Sequence, residues 1–232
     1  MALKTDLEAA VAGIFRERWS ITNGRVVPAA SDLLLGSNHG IKLEATVLYA
    51  DMANSTQLVD EYDAQFSAEI YKAYLHCASK IIKACEGTIT AYDGDRVMGV
   101  FVGDSKNANA VSAALKINYA RIKIINPAIN AQYPQVNYQI GHTIGIDTSD
   151  LVAARIGVRN DNDIVWIGRA ANHAAKLCAA TFVGSLRITR AVYDRLRDSE
   201  KNGNGISMWE LAFWRDNGNA PIYSSTWMRG FS

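Results

Sequence analysis

Two stretches of the chain place apolar side chains at the three- and four-residue spacing of an amphipathic helix. The first has apolar residues at positions 66, 70, 74, 77, 81 and 85, and the second at positions 108, 111, 115, 119 and 122. Gly87 follows the first stretch and Pro127 follows the second, and both residue types are typical of a helix end. The pattern therefore predicts long helices over Phe66–Cys85 and Ser105–Ile125.

Short runs of β-branched and aromatic residues predict the strands. Glu44–Asp51 is the first such run. The next two runs, Thr88–Ala91 and Arg96–Val102, are expected to form a hairpin through a tight turn at residues 92–95. A longer alternating run, Val136–Asp147, is expected to form a second hairpin with Leu151–Ile156. The remaining predicted elements are a helix from Gly168 to Thr181, a strand over Ser185–Thr189, a helix over Ala191–Asp198, and strands over Ile206–Trp214 and Ile222–Trp227.

The order of these elements predicts an α+β fold. Its core is β-α-β-β-α-β, the ferredoxin-like arrangement, with further strands and helices appended. Residues 1–40 are expected to form an amphipathic N-terminal helix followed by an irregular extension, and residues 41–232 a single domain.

Composition limits the partners. Lys and Arg total 24 and Asp and Glu total 23, so the net charge of +1 argues against a nucleic-acid or membrane-surface binder. Three cysteines cannot all pair within one chain, which favours reduced thiols. No apolar run approaches the roughly 18 residues that a membrane helix needs. These features predict a cytoplasmic protein.

Two carboxylates are candidates for a metal site. Asp51 ends the first strand, and Asp95 lies in the following hairpin, which should pack beside that strand. Singly, each is better explained by a helix cap or a turn. Together, they fit a pair of hard divalent cations such as Mg²⁺ or Mn²⁺. The small polar residues after Asp51 enter a helix whose free backbone N–H groups could bind a triphosphate.

Four segments stand in order along residues 42–190: Val47–Thr56, Tyr92–Phe101, Gly145–Thr148 continuing to Gly157, and Trp166–Leu177. Together they resemble the motifs of the class III adenylate and guanylate cyclases. Ser149 stands where the third motif of that family usually ends in glycine, and the first 40 residues and the last strands match no motif of the family.

The resemblance implies roles for the first two segments. Asp51 and Asp95 would bind both metal ions, and the Met52 carbonyl oxygen would help to bind one of them. The backbone of the next small polar residues, Asn54, Ser55 and Thr56, would hold the phosphates.

The fourth segment would supply the other half of the site. Asn172 would orient the ribose, and Lys176 would stand where the family uses an arginine on the triphosphate. A spacing of four residues places both side chains on one face of a helix; without the resemblance, they would be taken for a solvated face. In this family each half of a site comes from a different subunit, so the resemblance implies a homodimer.

Base selection is expected to depart from the purine cyclases. Ala91 and Val165 stand at the two purine-selecting positions, and neither side chain can form the hydrogen bonds that reject a wrong base. Tyr49 shares the face of Asp51 and could place a hydroxyl beside a smaller base, although a core aromatic is an equal reading. Arg96 could bind a pyrimidine carbonyl, although a surface ion pair is the simpler explanation.

These departures resemble the pyrimidine cyclases of the bacterial Pycsar antiphage systems. The resemblance implies conversion of UTP into cyclic UMP, which would activate a separately encoded effector. The alternatives are a cytidylate cyclase, an adenylate or guanylate cyclase, and a catalytically dead nucleotide-binding module. An RNA-binding ferredoxin-like domain is disfavoured, because two carboxylates at the sheet edge would repel phosphate in the absence of metal.

Overall fold

The computed structural model describes residues 2–181 and 184–231. Its helices are α1 (Ala2–Arg16), α2 (Ser55–Glu61), α3 (Ala64–Ala84), α4 (Lys106–Ala120), α5 (Asn126–Gln132), α6 (Arg169–Ala179), α7 (Arg190–Tyr193) and α8 (Asp198–Lys201). Its strands are β1 (Ser20–Asn23), β2 (His39–Ala53), β3 (Thr88–Asp93), β4 (Arg96–Phe101), β5 (Gly141–Val158), β6 (Asp161–Ile167), β7 (Leu186–Thr189), β8 (Asn202–Gly203), β9 (Ile206–Ser207), β10 (Glu210–Trp214) and β11 (Ala220–Ser225).

A single large sheet organises the described part of the chain. Its strand order is β10-β11-β7-β5-β2-β4-β3, with β1 beside β2 and β6 beside β5. The two long central strands, β2 and β5, pair antiparallel from Ile41–Ala153 at one end to Ala53–Gly141 at the other. The succession β2-α3-β3-β4-α4-β5 confirms the predicted α+β fold with a ferredoxin-like core.

The two faces of the sheet are covered by different helices, because successive side chains of a strand point to opposite faces. Leu48 and Ala50 of β2 pack in the apolar cluster that includes α3 and α4. Val47 of β2 packs in a second cluster with Ala170 and Ala174 of α6, and Tyr49 contacts that cluster. Positions 47, 49 and 51 of β2 therefore share the face that α6 covers.

The predicted hairpin between Val136–Asp147 and Leu151–Ile156 is wrong. Both segments belong largely to one continuous strand, β5, and the hairpin partner of β5 is β6. The polar residues after Asp147 suggested a turn, but Thr148 is buried and its hydroxyl donates to the Ala45 carbonyl oxygen at 3.2 Å. This hydrogen bond satisfies the hydroxyl inside the sheet, so the strand continues.

The prediction that Pro127 ends the second long helix is also wrong. After α4 the chain makes a π-helical turn at Arg121–Ile125 and continues as α5, with Pro127 at its start. Proline is tolerated there because the first N–H groups of a helix have no partner within it. The predicted helix Ala191–Asp198 is replaced by the two short helices α7 and α8.

The N-terminal segment forms α1 and β1. None of the residues of α1 is buried, whereas β1 pairs in parallel with the first residues of β2, His39–Lys42. The division of the chain at residue 40 stays a prediction. Among the described residues, no helix combines the length and apolar character needed to cross a bilayer.

Candidate active site

Asp51 and Asp95 lie at the same end of the sheet. Asp51 is near the end of β2, opposite Arg96 of β4, and Asp95 lies in the turn between β3 and β4. Gly94, just before it, has a φ of +61°, in the left-handed region that favours glycine and permits a tight turn. The Met52 N–H donates to the Asp95 carbonyl oxygen at 3.4 Å, which ties the turn to the strand that carries Asp51.

The electrostatics of Asp51 fit a cation site. Burial, followed by the negative charge of Asp95, raises the pKa of Asp51 to about 6, although Arg96 acts in the opposite direction. Two neighbouring carboxylates disfavour each other's charged form unless a positive charge separates them. Hard divalent cations prefer such oxygen ligands, so Asp51 and Asp95 are the residues that could hold Mg²⁺ or Mn²⁺.

The protein offers few further metal ligands at this point. Within residues 2–181 and 184–231, no group of three or more His, Cys, Asp or Glu side chains could hold a metal ion. A cation at Asp51 and Asp95 would therefore take its other oxygen ligands from the backbone, such as the Met52 carbonyl, or from a bound phosphate.

Tyr49, Ala91 and Met98 form one row across three neighbouring strands. Met98 of β4 pairs with Tyr49 of β2 on one side and with Ala91 of β3 on the other. The adjacent row consists of Asp51, Arg96 and Asp93. The structure thus brings four residues that were predicted separately, Tyr49, Ala91, Asp51 and Arg96, onto one patch of the sheet.

Arg96 is held by two interactions, and one of its donors is buried without a partner in the described part of the chain. Its guanidinium lies 5.1 Å from the centre of the Tyr49 ring, a cation–π geometry. Its Nη2 pairs with Asp93 Oδ2 at 2.5 Å. Its Nε is buried without a hydrogen-bond partner among the described residues. A buried unpaired donor is costly, so a shift of Arg96 that brings Nε to an acceptor would be favourable.

Val165 lies far from this patch within one chain. It pairs with Ala154 of β5, whereas the β5 partner of Asp51 is Thr143. At about 3.3 Å per residue, Ala154 and Thr143 are roughly 35 Å apart along β5. Val165 and Ala91 of the same chain therefore cannot line one base pocket.

The segment after Asp51 turns sharply into α2. Asn54 adopts a left-handed conformation, with φ of 59°, and its side chain makes no capping hydrogen bond. Ser55 and Thr56 form the first turn of α2, where backbone N–H groups lack partners within the helix. These donors adjoin the end of β2, as a role in phosphate binding requires.

Asn172 and Lys176 project from the exposed side of α6, while its other side packs on the sheet. Cys178 near the end of α6 donates to the Tyr49 carbonyl oxygen at 3.4 Å. Within the part of the chain that the structure describes, neither Asn172 nor Lys176 has a hydrogen bond or ion pair with Asp51 or Asp95. Both are free to contact another molecule.

The sequence reasoning missed a polar cluster between α6 and the sheet, in which the partly exposed Arg169 and His173 meet the buried Asp147 and Thr189. Asp147 is fully buried on β5, and the other three side chains contact it. A charged residue within an otherwise apolar strand was the available signal. The i, i+4 spacing of Arg169 and His173 on the predicted helix was a second signal.

Comparison with solved structures identifies the class of fold. An adenylyl cyclase from P. aeruginosa superimposes with a TM-score of 0.69 at 24% identity, over 81% of this chain and 96% of that chain. The guanylate cyclase domain from Catenaria anguillulae, solved in complex with GTP, has a TM-score of 0.65 at 17% identity, over 81% and 99%. The fold is that of the class III nucleotidyl cyclases.

Comparison with characterised sequences narrows this class to one family. A protein from Burkholderia cepacia named uridylate cyclase is 51% identical over 229 residues, and one from Xanthomonas perforans with the same name is 45% identical over 227 residues. Each alignment covers 98% of both chains. A third protein named uridylate cyclase, from Rhodovulum sp., is 35% identical over an alignment of 241 positions. That alignment covers 99% of this chain and 98% of that protein. No protein-family model matches the chain. The chain belongs to the uridylate cyclase family, and it is a nucleotidyl cyclase.

Proposed function

We propose that this protein is a homodimer that converts UTP into 3′,5′-cyclic UMP and diphosphate with two divalent cations, Mn²⁺ or Mg²⁺. The observation that carries the proposal is the patch formed by Asp51, Arg96, Tyr49 and Ala91, with Asp95 in the adjoining turn. It combines a carboxylate pair with a base-binding surface that lacks purine-selecting side chains. The names of the three related proteins support the same substrate.

The reaction forms one P–O bond and breaks another. The ribose 3′ oxygen bonds to the α-phosphorus, the α-phosphorus separates from the oxygen that bridges to the β-phosphate, and diphosphate leaves. The 3′-hydroxyl loses its proton to solvent. Divalent cations at Asp51 and Asp95 would supply Lewis-acid activation of that hydroxyl and neutralise the phosphate charge. The backbone of Asn54, Ser55 and Thr56 would bind the phosphates.

Tyr49 and Arg96 would read the base. The Arg96 guanidinium, which is partly exposed, could donate to a pyrimidine carbonyl oxygen. The Tyr49 ring supports the guanidinium from one side and would limit the size of a base bound beside Ala91. A site that hydrogen-bonds a substrate group discriminates strongly against analogues that lack it.

The second half of each site would come from a second copy. Val165 lies roughly 35 Å along β5 from the level of Asp51, and the Asn172 and Lys176 side chains face away from the body of their own chain. In a two-fold dimer, the partner's Val165 would close the base pocket. The partner's Asn172 would orient the ribose, and the partner's Lys176 would stabilise the charge on the phosphates.

In the cell, we propose that cyclic UMP acts as a cytoplasmic second messenger in antiphage defence and activates a separately encoded effector. This proposal is supported by the resemblance of the base-selecting positions to the pyrimidine cyclases of such systems.

The test of substrate is direct. Purified protein is incubated with Mn²⁺ and each of the four ribonucleoside triphosphates, and the cyclic products are identified by chromatography and mass spectrometry. We expect cyclic UMP to dominate, and Asp51→Asn protein to form none. Cyclic AMP as the main product would overturn the proposal, and cyclic CMP would favour the cytidylate alternative. Unchanged biological activity of Asp51→Asn protein would favour a nucleotide-binding module without catalysis.

A further inference from the structure

The Asp147 carboxylate connects three elements of the fold. It lies on β5 and is fully buried. Its Oδ1 accepts a hydrogen bond from the Thr189 hydroxyl at the end of β7, at 2.5 Å. Its Oδ2 accepts from Arg169 Nε at 3.1 Å and lies 3.4 Å from His173 Nδ1, and both of these residues belong to α6. One carboxylate thus fixes α6 to the middle of the sheet through two side chains one helical turn apart.

Further contacts fix both ends of α6. At its start, Arg169 Nη2 donates to the Thr148 carbonyl oxygen at 2.6 Å, and Ser149 Oγ accepts from the Ala170 N–H at 3.0 Å. At its end, the Arg187 guanidinium donates to the carbonyl oxygens of Leu177, Cys178 and Ala180. A cation among the last carbonyl oxygens of a helix satisfies them and complements the helix dipole. The orientation of α6 is therefore strongly restrained.

The free-energy cost of burying the Asp147 carboxylate indicates that this residue has a role beyond packing. A buried charge is expensive unless it is fully paired, and an apolar residue of similar size often serves stability as well. Here the charge is placed where it restrains α6 in both tilt and rotation. The opposite side of α6 carries Asn172 and Lys176, whose side chains are exposed.

We propose that Asp147, with Thr189, Arg169 and His173, is a positioning device that aims Asn172 and Lys176 at the metal site of the partner subunit. The inference rests on the proposed function, because it needs a site completed by a second copy. Asp147 touches neither substrate nor metal in this scheme. It acts on the partner's active site through α6.

The competing explanation is that Asp147 supports the carboxylate end of its own chain. It lies on the same strand as Thr143, the β5 neighbour of Asp51. In that case its loss would damage the half-site of its own subunit. The two explanations assign the defect to different active sites of the dimer, so they can be separated experimentally.

The first measurement uses single variants of the full-length dimer. In Asp147→Asn protein, a neutral amide replaces the carboxylate that accepts hydrogen bonds from Arg169 and Thr189. We expect kcat to fall by about 10- to 100-fold, because a displacement of roughly 1 Å in a positioned group has effects of this size. The KM for UTP and the affinity for Mn²⁺ should change by less than about threefold, since the metal end is untouched.

A second variant covers the case in which Asp147→Asn protein does not fold. Thr189→Val removes the hydroxyl that donates to Asp147 and also accepts from the Val192 N–H at the start of α7, and we expect the same loss of kcat. Thr189→Ser is the matched control, because it keeps the hydroxyl, and it should restore most of the turnover. An equal loss in Thr189→Ser and Thr189→Val protein would contradict the hydrogen-bond mechanism.

The deciding experiment is complementation between an inactive and an impaired subunit. Asp51→Asn chains and Asp147→Asn chains are co-expressed with different tags, and the mixed dimer is purified through both. One of its two sites combines intact carboxylates from the Asp147→Asn chain with an intact α6 from the Asp51→Asn chain. We expect this dimer to recover about half of the wild-type activity.

A mixed dimer of Asp51→Asn and Asn172→Ala chains tests the proposed function separately. If this reference dimer is active and the Asp147→Asn mixture is not, the positioning proposal is overturned while the shared active site stands. If the reference dimer is inactive, the shared site is wrong, and the positioning proposal falls with it. Wild-type turnover in both folded Asp147→Asn and folded Thr189→Val homodimers would also overturn the proposal.

Discussion

The backbone of α6 rests directly on Gly145 of β5: a β-carbon at this position would lie 2.1 Å from the carbonyl oxygen of Ala174. The same β-carbon would lie 2.9 Å from the β-carbon of Leu177. Real β-carbons do not approach backbone atoms so closely. Any side chain at residue 145 must therefore push α6, with Asn172 and Lys176, away from the sheet.

Gly145→Ala should lower both stability and turnover. Overpacking of a close-packed interior typically costs about 1–3 kcal/mol, and in the proposed dimer the displaced helix would carry its exposed face away from the partner's site. Thermal unfolding and steady-state kinetics on the same preparation measure the two effects. Gly13→Ala is the matched control, because a β-carbon at residue 13 of α1 meets nothing within 4 Å. Equal behaviour of the two variants would mean that α6 is not held against β5 as described.

Much of this site was predictable from the sequence because its parts are local. Asp51 follows a β-branched strand, and Asp95 follows the glycine of a tight turn, so each position is set by its neighbours along the chain. The spacing of Asn172 and Lys176 likewise fixes one helix face without knowledge of the fold.

The rest depended on register and long-range packing. The pairing of Met98 with both Tyr49 and Ala91 follows from the alignment of three strands, which no local pattern specifies. The continuity of β5 depends on the hydrogen bond from Thr148 to Ala45, a residue about 100 positions earlier. For the same reason, the cluster around Asp147 could not be assembled before the fold was known.

The raised pKa of Asp51 predicts how stability depends on pH in the absence of metal. Its pKa is about 6 in the fold, against an ordinary value of 3.8, because of burial and then Asp95. The folded protein therefore binds more protons than the unfolded chain between these values, and this group's contribution to stability falls as pH rises through about 6. Because Asp51 is only half-buried, we expect a loss on the order of 1 kcal/mol.

The measurement is thermal or urea unfolding in EDTA between pH 4.5 and 7, for wild-type and Asp51→Asn protein. The difference in unfolding free energy between the two proteins removes the contributions of all other groups. The unfolding free energy of the wild type should fall relative to that of Asp51→Asn protein as pH rises. Added Mn²⁺ should reverse this difference at pH 7, because a cation favours the charged carboxylates. A pH-independent difference would contradict the raised pKa.

Asp95→Asn should weaken Mn²⁺ binding and lower turnover by at least about 100-fold, since one of the two proposed carboxylate ligands of the cations is lost. Titration calorimetry with Mn²⁺ and the rate of cyclic UMP formation provide the two readouts. Asp104→Asn, at an exposed position outside the site, is the control for a simple loss of negative charge. Comparable Mn²⁺ affinity in both variants would remove Asp95 from the metal site.

Tyr49→Phe should test the role of the hydroxyl without disturbing the ring that supports Arg96. If the hydroxyl contacts the base, kcat/KM for UTP should fall by about 10- to 100-fold, while the ratio of UTP to CTP use moves toward one. The cation–π contact with Arg96 remains, so stability should be almost unchanged. Unaltered kcat/KM and base preference would leave Tyr49 as a core aromatic only.

Lys176 should act on the transition state rather than on substrate binding. Its side chain is exposed on α6, and in the proposed dimer it reaches the phosphates bound at the partner's carboxylates. Lys176→Ala should therefore lower kcat by about 100-fold with little change in KM, as expected for a donor that stabilises developing charge. Lys176→Arg should retain turnover, because the guanidinium offers two parallel donors to phosphate oxygens.

Lys72→Ala, which replaces an exposed lysine on α3, controls for the loss of one surface charge. Steady-state kinetics with UTP and Mn²⁺ measures all three variants, and wild-type turnover in Lys176→Ala protein would exclude the lysine from the reaction.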